Sequence, residues 1–188
     1  MNHLGTVTIE TQRLILRRLT EEDIEPAFRN WTSDPAVTTF LRWPTHRDIS
    51  ITRMVVADWI ASYEKADFYH WAIVPKDIGE PIGTIAVVDT DERIEKVHVG
   101  YCIGSKWWRQ GYTSEAFAAL IPFFFEQVSA NRIESQHDPM NPGSGKVMEK
   151  CGLTYEGTLR QNDFSNRGIV DAAMYGLLRS EYLERKNK

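Results

Sequence analysis

The chain has 188 residues, of which 42% are hydrophobic and 26% are charged, and its formal net charge is -4. This length suits one well-buried domain over 1–188, and the composition excludes a disordered chain. The weakly acidic balance without a basic stripe argues against a nucleic-acid partner, and no apolar run is long enough to make the membrane a partner.

Cysteine and histidine usage bears on the cellular compartment and on metal binding. Cys102 and Cys151 are expected to be reduced thiols, and the first residues lack the apolar core of a signal peptide, so we expect a cytoplasmic protein. The five histidines show no H-x-x-H or H-x-x-x-H spacing. We therefore expect no metal.

The first half of the chain alternates apolar runs with helical spacing. Thr20 is expected to cap the helix that follows it, because acidic residues in a first turn favour a helix N-terminus. A loop over 33–48 separates this helix from the next one. The predicted elements are strand 13–19, helices 21–31 and 49–65, and strands 68–74, 81–89 and 96–104.

The second half of the chain also contains both helical and strand-like segments. A helix over 114–128 contains Pro122, where we expect a kink. The later elements are strand 132–138, helix 144–152 and strands 154–161 and 169–178. This order predicts an α+β fold with a mixed, mostly antiparallel central sheet flanked by helices.

The junction "KWWRQGYTSEA", 106–116, joins the fourth strand to the following helix. A helix N-terminus offers unpaired N–H groups and partial positive charge, which suit a phosphate. Gly111 would let the backbone approach an anion, the amides of 110–114 could point inward, and Arg109 would add charge at the rim. A glycine before a helix is equally compatible with a simple packing turn.

Two segments carry a family resemblance. "YCIGSKWWRQGYTSEA" and the later "NPGSGKVMEKCGLTYEG" resemble the GNAT acetyltransferases, most closely the branch of ribosomal-protein N-terminal (alanine/serine) acetyltransferases. The opening "TQRLILRRLTEEDIEPAFRNW" is similar to the start of that branch, and the resemblance extends over 11–182. It implies the GNAT acyl-CoA N-acyltransferase fold and transfer of an acetyl group from acetyl-CoA to a primary amine.

The resemblance also implies a coenzyme site. The family's pyrophosphate-binding pattern, Gln/Arg-x-x-Gly-x-Gly/Ala, falls on 108–113, with Trp108 and Thr113 as departures. The pantetheine arm would lie along the backbone of 99–103, and Asn141 matches an asparagine that bonds this arm, although Asn141 would also suit a helix start. The implied acetyl-CoA residues are Val99, Tyr101, Cys102, Ile103, Trp108, Arg109, Gln110, Gly111, Tyr112, Thr113, Ser114, Asn141 and Lys146.

Ser144 and His98 are the catalytic candidates. Ser144 matches a serine proposed to return a proton to the leaving thiolate, and it would also cap the next helix. His98 stands where many relatives carry a glutamate, and histidine suits a general base at neutral pH, although it is also an ordinary sheet residue. An α-amine is about a tenth neutral at pH 7, so a bound water could replace a base.

The acceptor pocket is implied near the first two helices, their loop and the C-terminal strands. Its candidate residues Trp43, His46 and Trp71 belong to an aromatic pool that core packing would also explain. The pool also contains Trp31, Phe40 and Tyr69, and charges that could reach the same side are Arg160, Asp163 and Asp171.

Three functions remain open from the sequence. The first is acetylation of a protein N-terminal α-amine, such as that of a ribosomal protein. The second is acetylation of a small amine such as a polyamine, an antibiotic or a toxin, and the third is a non-catalytic module that binds CoA. We expect a monomer or a homodimer.

Overall fold

A computed structural model describes residues 1–187. Its strands are β1 Ile9–Glu10, β2 Leu14–Arg17, β3 His70–Pro75, β4 Gly83–Asp91, β5 Lys96–Ile103, β6 Arg132–His137, β7 Thr154–Ser165 and β8 Gly168–Leu178. Its α-helices are α1 Ile24–Ala27, α2 Pro35–Thr38, α3 Ile49–Ser62, α4 Tyr112–Pro122, α5 Pro142–Lys150 and α6 Arg179–Lys186. None of these helices is long and apolar enough to cross a bilayer.

The eight strands form one sheet in the order β1-β2-β3-β4-β5-β6-β8-β7. Every neighbouring pair is antiparallel except β5 and β6, which are parallel. The predicted fold class, an α+β fold with a mixed sheet flanked by helices, is therefore confirmed.

Local boundaries differ from the predictions where propensity signals were weak. At Pro122 the α-helical pattern of α4 gives way to a π-helical turn, Phe123–Gln127, since proline cannot donate a backbone hydrogen bond. The expectation that Ser144 caps α5 is wrong, because Pro142 already begins that helix and Asn141 is its N-cap.

Strands β5 and β6 diverge partway along their length. Their pairing covers three registers and ends at His98 opposite Glu134, whereas β5 stays paired with β4 as far as Ile103 and β6 with β8 as far as His137. A β-bulge interrupts β4 between Val87 and Asp89, and such bulges increase local twist. A gap between two sheet strands therefore opens beyond His98.

The two faces of β5 serve different layers. Val97, Val99 and Ile103 belong to the main core, which the aromatic side of α4 completes. Because side chains alternate along a strand, His98 and Cys102 lie on the opposite face, and Cys102 packs there against the cluster around Trp31.

Candidate active site

The turn before α4 is built around Gly111. Gly111 is the N-cap of α4 with φ of +82°, a left-handed conformation that glycine adopts without a steric penalty. A β-carbon at this position would lie 3.4 Å from Arg13 Nη2 and 3.9 Å from Lys150 Nζ. Arg109 also has a positive φ, 62°. The turn thus forms a bare corner with two cationic side chains close to it.

The first turn of α4 opens toward this corner. Its first backbone bond inside the helix runs from the Glu115 N–H to the Gly111 carbonyl at 3.0 Å. The N–H groups of Tyr112, Thr113 and Ser114 precede that bond, so they have no partner within the helix. Three unpaired donors at a helix N-terminus favour an anion.

Arg13 crosses the corner from the start of β2. Its Nη1 donates to the Gln110 carbonyl at 3.1 Å, its Nε donates to Glu115 Oε2 at 2.6 Å, and its guanidinium lies 4.6 Å from the centre of the Tyr112 ring. Sequence reasoning missed Arg13 and Lys150, because only the fold brings them to Gly111.

The two tryptophans of the junction have different environments. Trp107 is buried in the main core, whereas Trp108 is 45% exposed and its indole N–H donates to the Ile103 carbonyl at 2.9 Å. The Gln110 amide likewise donates to the Lys106 carbonyl at 3.0 Å. Trp108 and Gln110 therefore brace the turn.

The backbone of β5 faces the gap at alternate residues. The Val99 carbonyl accepts from Ser135 Oγ at 2.7 Å, across from β6. Because the direction of backbone groups alternates along a strand, Tyr101 and Ile103 also face this side. Beyond the last pair with β6, the backbone of Tyr101 has no partner strand there in the described sheet.

The expectation that Cys102 lines the gap needs correction. The Gly104 N–H donates to the Ile82 carbonyl, just before β4, at 2.9 Å, and Cys102 lies two residues earlier, so its backbone is also directed toward β4. Its thiol lies 3.5 Å from Thr84 Oγ1, and burial raises the pKa of this thiol.

Tyr101 and Ser144 meet on the α5 side of the gap. The Tyr101 hydroxyl donates to the Ser144 carbonyl at 2.9 Å, and Ser144 Oγ donates to the Tyr101 hydroxyl at 3.0 Å. Burial raises the pKa of Tyr101. Asn141 lies at the start of the same helix without a side-chain capping bond in residues 1–187, and Lys146 is exposed on it.

His98 lies on the other face of the sheet from Tyr101, at the point where the gap begins. Its Nδ1 lies 3.1 Å from Glu134 Oε1, and its side chain is 12% exposed. One hydroxyl pair and one imidazole therefore flank the same opening from opposite faces.

Trp71 does not line an acceptor pocket, and that prediction is wrong. The residue has 0% exposure, its ring packs edge-on against Phe123 and Phe124, and its indole N–H donates to the Val7 carbonyl at 2.6 Å. The neighbouring Tyr69 is buried in the same core.

His46 is also enclosed, at 6% exposure. Its Nδ1 lies 2.8 Å from Thr52 Oγ1, and burial lowers the pKa of its imidazole. Its ring centre is 5.2 Å from that of Trp43, which is half-buried against the Trp31 cluster. The structure thus gives His46 a packing role and leaves Trp43 as the accessible member of the pair.

A hairpin strap closes over the loop between α2 and α3. This strap is the tip of the β7–β8 hairpin, residues 163–168. Asn166 Nδ2 donates to the carbonyls of Thr38 and Trp43, each at 2.8 Å, and Arg42 Nε donates to Asp163 Oδ1 at 2.9 Å. Sequence reasoning missed the strap, although Asn166 stands in a turn between two predicted strands.

An open cavity of about 730 Å³ lies along the β7–β8 hairpin, outside the strap, and is lined by Leu159, Arg160, Gln161, Asn162 and Asp171. Arg160 and Asp171, two of the predicted acceptor-side charges, line it, whereas Asp163 is held by Arg42 and Gln136. Over 1–187 no group of three or more His, Cys, Asp or Glu side chains could hold a metal ion.

Comparison with known proteins adds the family. The acetyltransferase (GNAT) domain profile matches residues 13–154. The uncharacterized N-acetyltransferase p20 of Bacillus licheniformis is 30% identical over 93% of this chain and 98% of its own length.

Two solved structures share the fold. The ribosomal-protein-S5-alanine acetyltransferase from Vibrio fischeri superposes with a TM-score of 0.80 at 18% identity and covers 94% of this chain and 98% of its own. The microcin C7 self-immunity acetyltransferase MccE, in complex with acetyl-CoA and AMP, superposes with a TM-score of 0.81 at 17% identity and covers 89% and 93%. Since the family profile and the relative span most of the sequence, the chain belongs to the GNAT acetyltransferase family and is an acetyl-CoA-dependent N-acetyltransferase.

Proposed function

We propose that the chain acts as one domain and acetylates the α-amine at a protein N-terminus. The observation that carries this proposal is that the pairing of β5 with β6 ends at His98, while β5 itself continues to Ile103 and then leads into the turn at Gly111. The two competing hypotheses are acetylation of a small amine and a CoA-binding module without catalysis.

The corner at Gly111 fits the pyrophosphate of acetyl-CoA. The amides of Tyr112, Thr113 and Ser114 would donate to its oxygens, since they have no partner within the helix. Arg109 at the rim and Lys150 near the corner supply positive charge. Trp108, Gln110 and Arg13 would hold the turn in this shape.

The gap fits the pantetheine arm as an added strand. The backbone groups of Tyr101 and Ile103 face it and would bond the arm's amides, and Val99 faces it with a carbonyl that Ser135 already occupies. Asn141 and Lys146, on the α5 side, would bond the arm or its phosphate in this proposal.

Acetyl-CoA supplies a thioester whose C–S bond breaks as the C–N bond to the acceptor forms, after which the sulfur needs a proton. Ser144 and Tyr101 are assigned to return that proton, because their hydroxyls are joined beside the gap. His98 is assigned to take the proton of the amine from the opposite face. Proton donor and proton acceptor are thereby kept apart.

An α-amine suits this weak acid–base equipment. About a tenth of α-amines with pKa near 8 are neutral at pH 7, against less than about a thousandth of lysine side chains. The likeness to a ribosomal-protein-S5-alanine acetyltransferase supports the same class of acceptor. The half-buried Trp43, the hairpin strap and the cavity beside Arg160 would form the acceptor side.

Release of the CoA thiol over a matched panel of amines tests the proposal. The panel holds peptides with a free N-terminus, the same peptides with a blocked N-terminus and an internal lysine, a polyamine and an aminoglycoside. We expect release and peptide acetylation with free N-termini alone. Preference for a small amine would overturn the acceptor class, and acetyl-CoA binding without transfer to any amine would overturn the enzymatic role.

A further inference from the structure

Glu134 is where the charged side chains around His98 converge. Its Oε1 accepts from Lys96 Nζ at 2.8 Å and lies 3.1 Å from His98 Nδ1, and its Oε2 accepts from Arg132 Nε at 3.2 Å. Burial by itself would raise the pKa of Glu134, but the hydrogen bonds from His98, Lys96 and Arg132 outweigh it and lower the pKa to about 2. Glu134 is therefore a carboxylate under ordinary assay conditions.

This contact determines which ring nitrogen of His98 carries the proton. A carboxylate only accepts hydrogen bonds, so Nδ1 must be the protonated atom and Nε2 is left free to exchange a proton. The side chains of His98 and Glu134 are 12% and 10% exposed, so their neighbours restrict the ring's rotation. They are also the last facing pair before the gap opens.

We propose that Glu134 is a positioning residue, which holds His98 with Nε2 available to the acceptor amine. This inference rests on the proposed function, because it needs His98 as the base. A histidine base held through Nδ1 by a buried carboxylate is the arrangement that orients the imidazole in Ser-His-Asp enzymes. Sequence reasoning missed Glu134, since nothing in "RIESQHD" indicates that its glutamate faces His98.

The step is a proton transfer. The acceptor arrives as an ammonium group, one N–H bond breaks, its electron pair stays on nitrogen, and the proton binds Nε2. The imidazolium then faces the Glu134 carboxylate and later releases the proton to water. Asp89, which stands opposite His98 on β4, pairs with Lys96 at 3.6 Å, and Arg132 pairs with Glu134, whereas the Glu134 carboxylate contacts the imidazole.

A double-mutant cycle tests the proposal, with any free-amine peptide that the wild-type enzyme acetylates. Glu134→Gln keeps the side-chain shape, and we expect kcat to fall about tenfold or more while the KM for acetyl-CoA stays within about twofold. His98→Gln should lower kcat at least as far. Because Glu134 acts through His98, adding Glu134→Gln to His98→Gln should cost less than about threefold more.

Lys96→Met is the matched control, since it removes the other donor from the same carboxylate oxygen without changing His98. We expect its kcat to stay within about threefold of wild type. Losses at positions 98 and 134 that multiply in the double variant would overturn the proposal, because a purely structural carboxylate would cost the same in either background.

The wild-type enzyme provides a second readout if Glu134→Gln fails to fold. Nitrogen-edited NMR spectra of the His98 ring should show the Nδ1–H tautomer at neutral pH. The Nε2–H tautomer would overturn the proposal. Failure of the wild type to acetylate any N-terminal peptide would instead overturn the proposed function, and the tautomer would still report on the His98–Glu134 contact.

Discussion

The turn before α4 requires a left-handed backbone conformation at one residue, Gly111. We predict that Gly111→Ala weakens acetyl-CoA binding by about tenfold or more, because the new methyl group is strained at φ of +82° and projects toward Arg13 and Lys150 at the corner. Titration calorimetry with acetyl-CoA measures this loss.

The chain offers a matched control in Gly79. It has a similar φ of +77°, but a β-carbon there would meet no described heavy atom within 4 Å. Gly79→Ala should carry a similar left-handed strain, about 1–2 kcal/mol, and leave acetyl-CoA affinity unchanged. Equal affinities for the two variants would contradict the assignment of the corner.

His70 makes the stability of the fold depend on pH. Its Nε2 is buried without a partner in residues 1–187, and burial lowers the pKa of His70 to about 3. The unfolded chain binds this proton below about pH 6.5 but the folded chain only near pH 3, so acidification through this window destabilises the fold by up to about 1.4 kcal/mol per pH unit. His70→Phe should flatten that part of the curve of unfolding free energy against pH, whereas curves parallel to wild type would contradict this account.

At the scale of elements, the strap joins the β7–β8 hairpin to the loop before α3. Removing the Asn166 amide leaves the Thr38 and Trp43 carbonyls without this donor. We predict that Asn166→Ala speeds amide exchange at residues 38–43 and raises the KM for the acceptor peptide several-fold, with the KM for acetyl-CoA unchanged.

Asn162→Ala makes the same change on β7 of that hairpin, at an exposed position outside the strap. Exchange at residues 38–43 should then match wild type. If Asn166→Ala behaves in the same way, the strap does not hold the loop.

For the whole molecule, the sequence predicted those features that depend on single residues or on the spacing of apolar residues along a short segment. The turn at Gly111 and most of the strand-helix order follow from local conformation and could be predicted, whereas β1 and the helices α2 and α6 were missed. The burial of Trp71 and His46 could not be predicted, because an aromatic residue has the same appearance in a sequence whether it lines a pocket or packs in a core. Arg13 lies near Gly111, and His98 contacts Glu134, only because distant segments pair in the fold, so neither contact could be predicted from the sequence.

The proposed function requires the coenzyme arm to enter the gap beside β5. Backbone amide exchange followed by NMR, with and without saturating acetyl-CoA, tests it most directly. The backbone groups of Tyr101 and Ile103 are directed toward the gap, whereas those of Gly100 and Cys102 are directed toward β4. We predict that acetyl-CoA slows exchange at Tyr101, Ile103 and the first turn of α4 and leaves Gly100 and Cys102 unchanged; unchanged exchange at Tyr101 and Ile103 in the saturated protein would contradict the account.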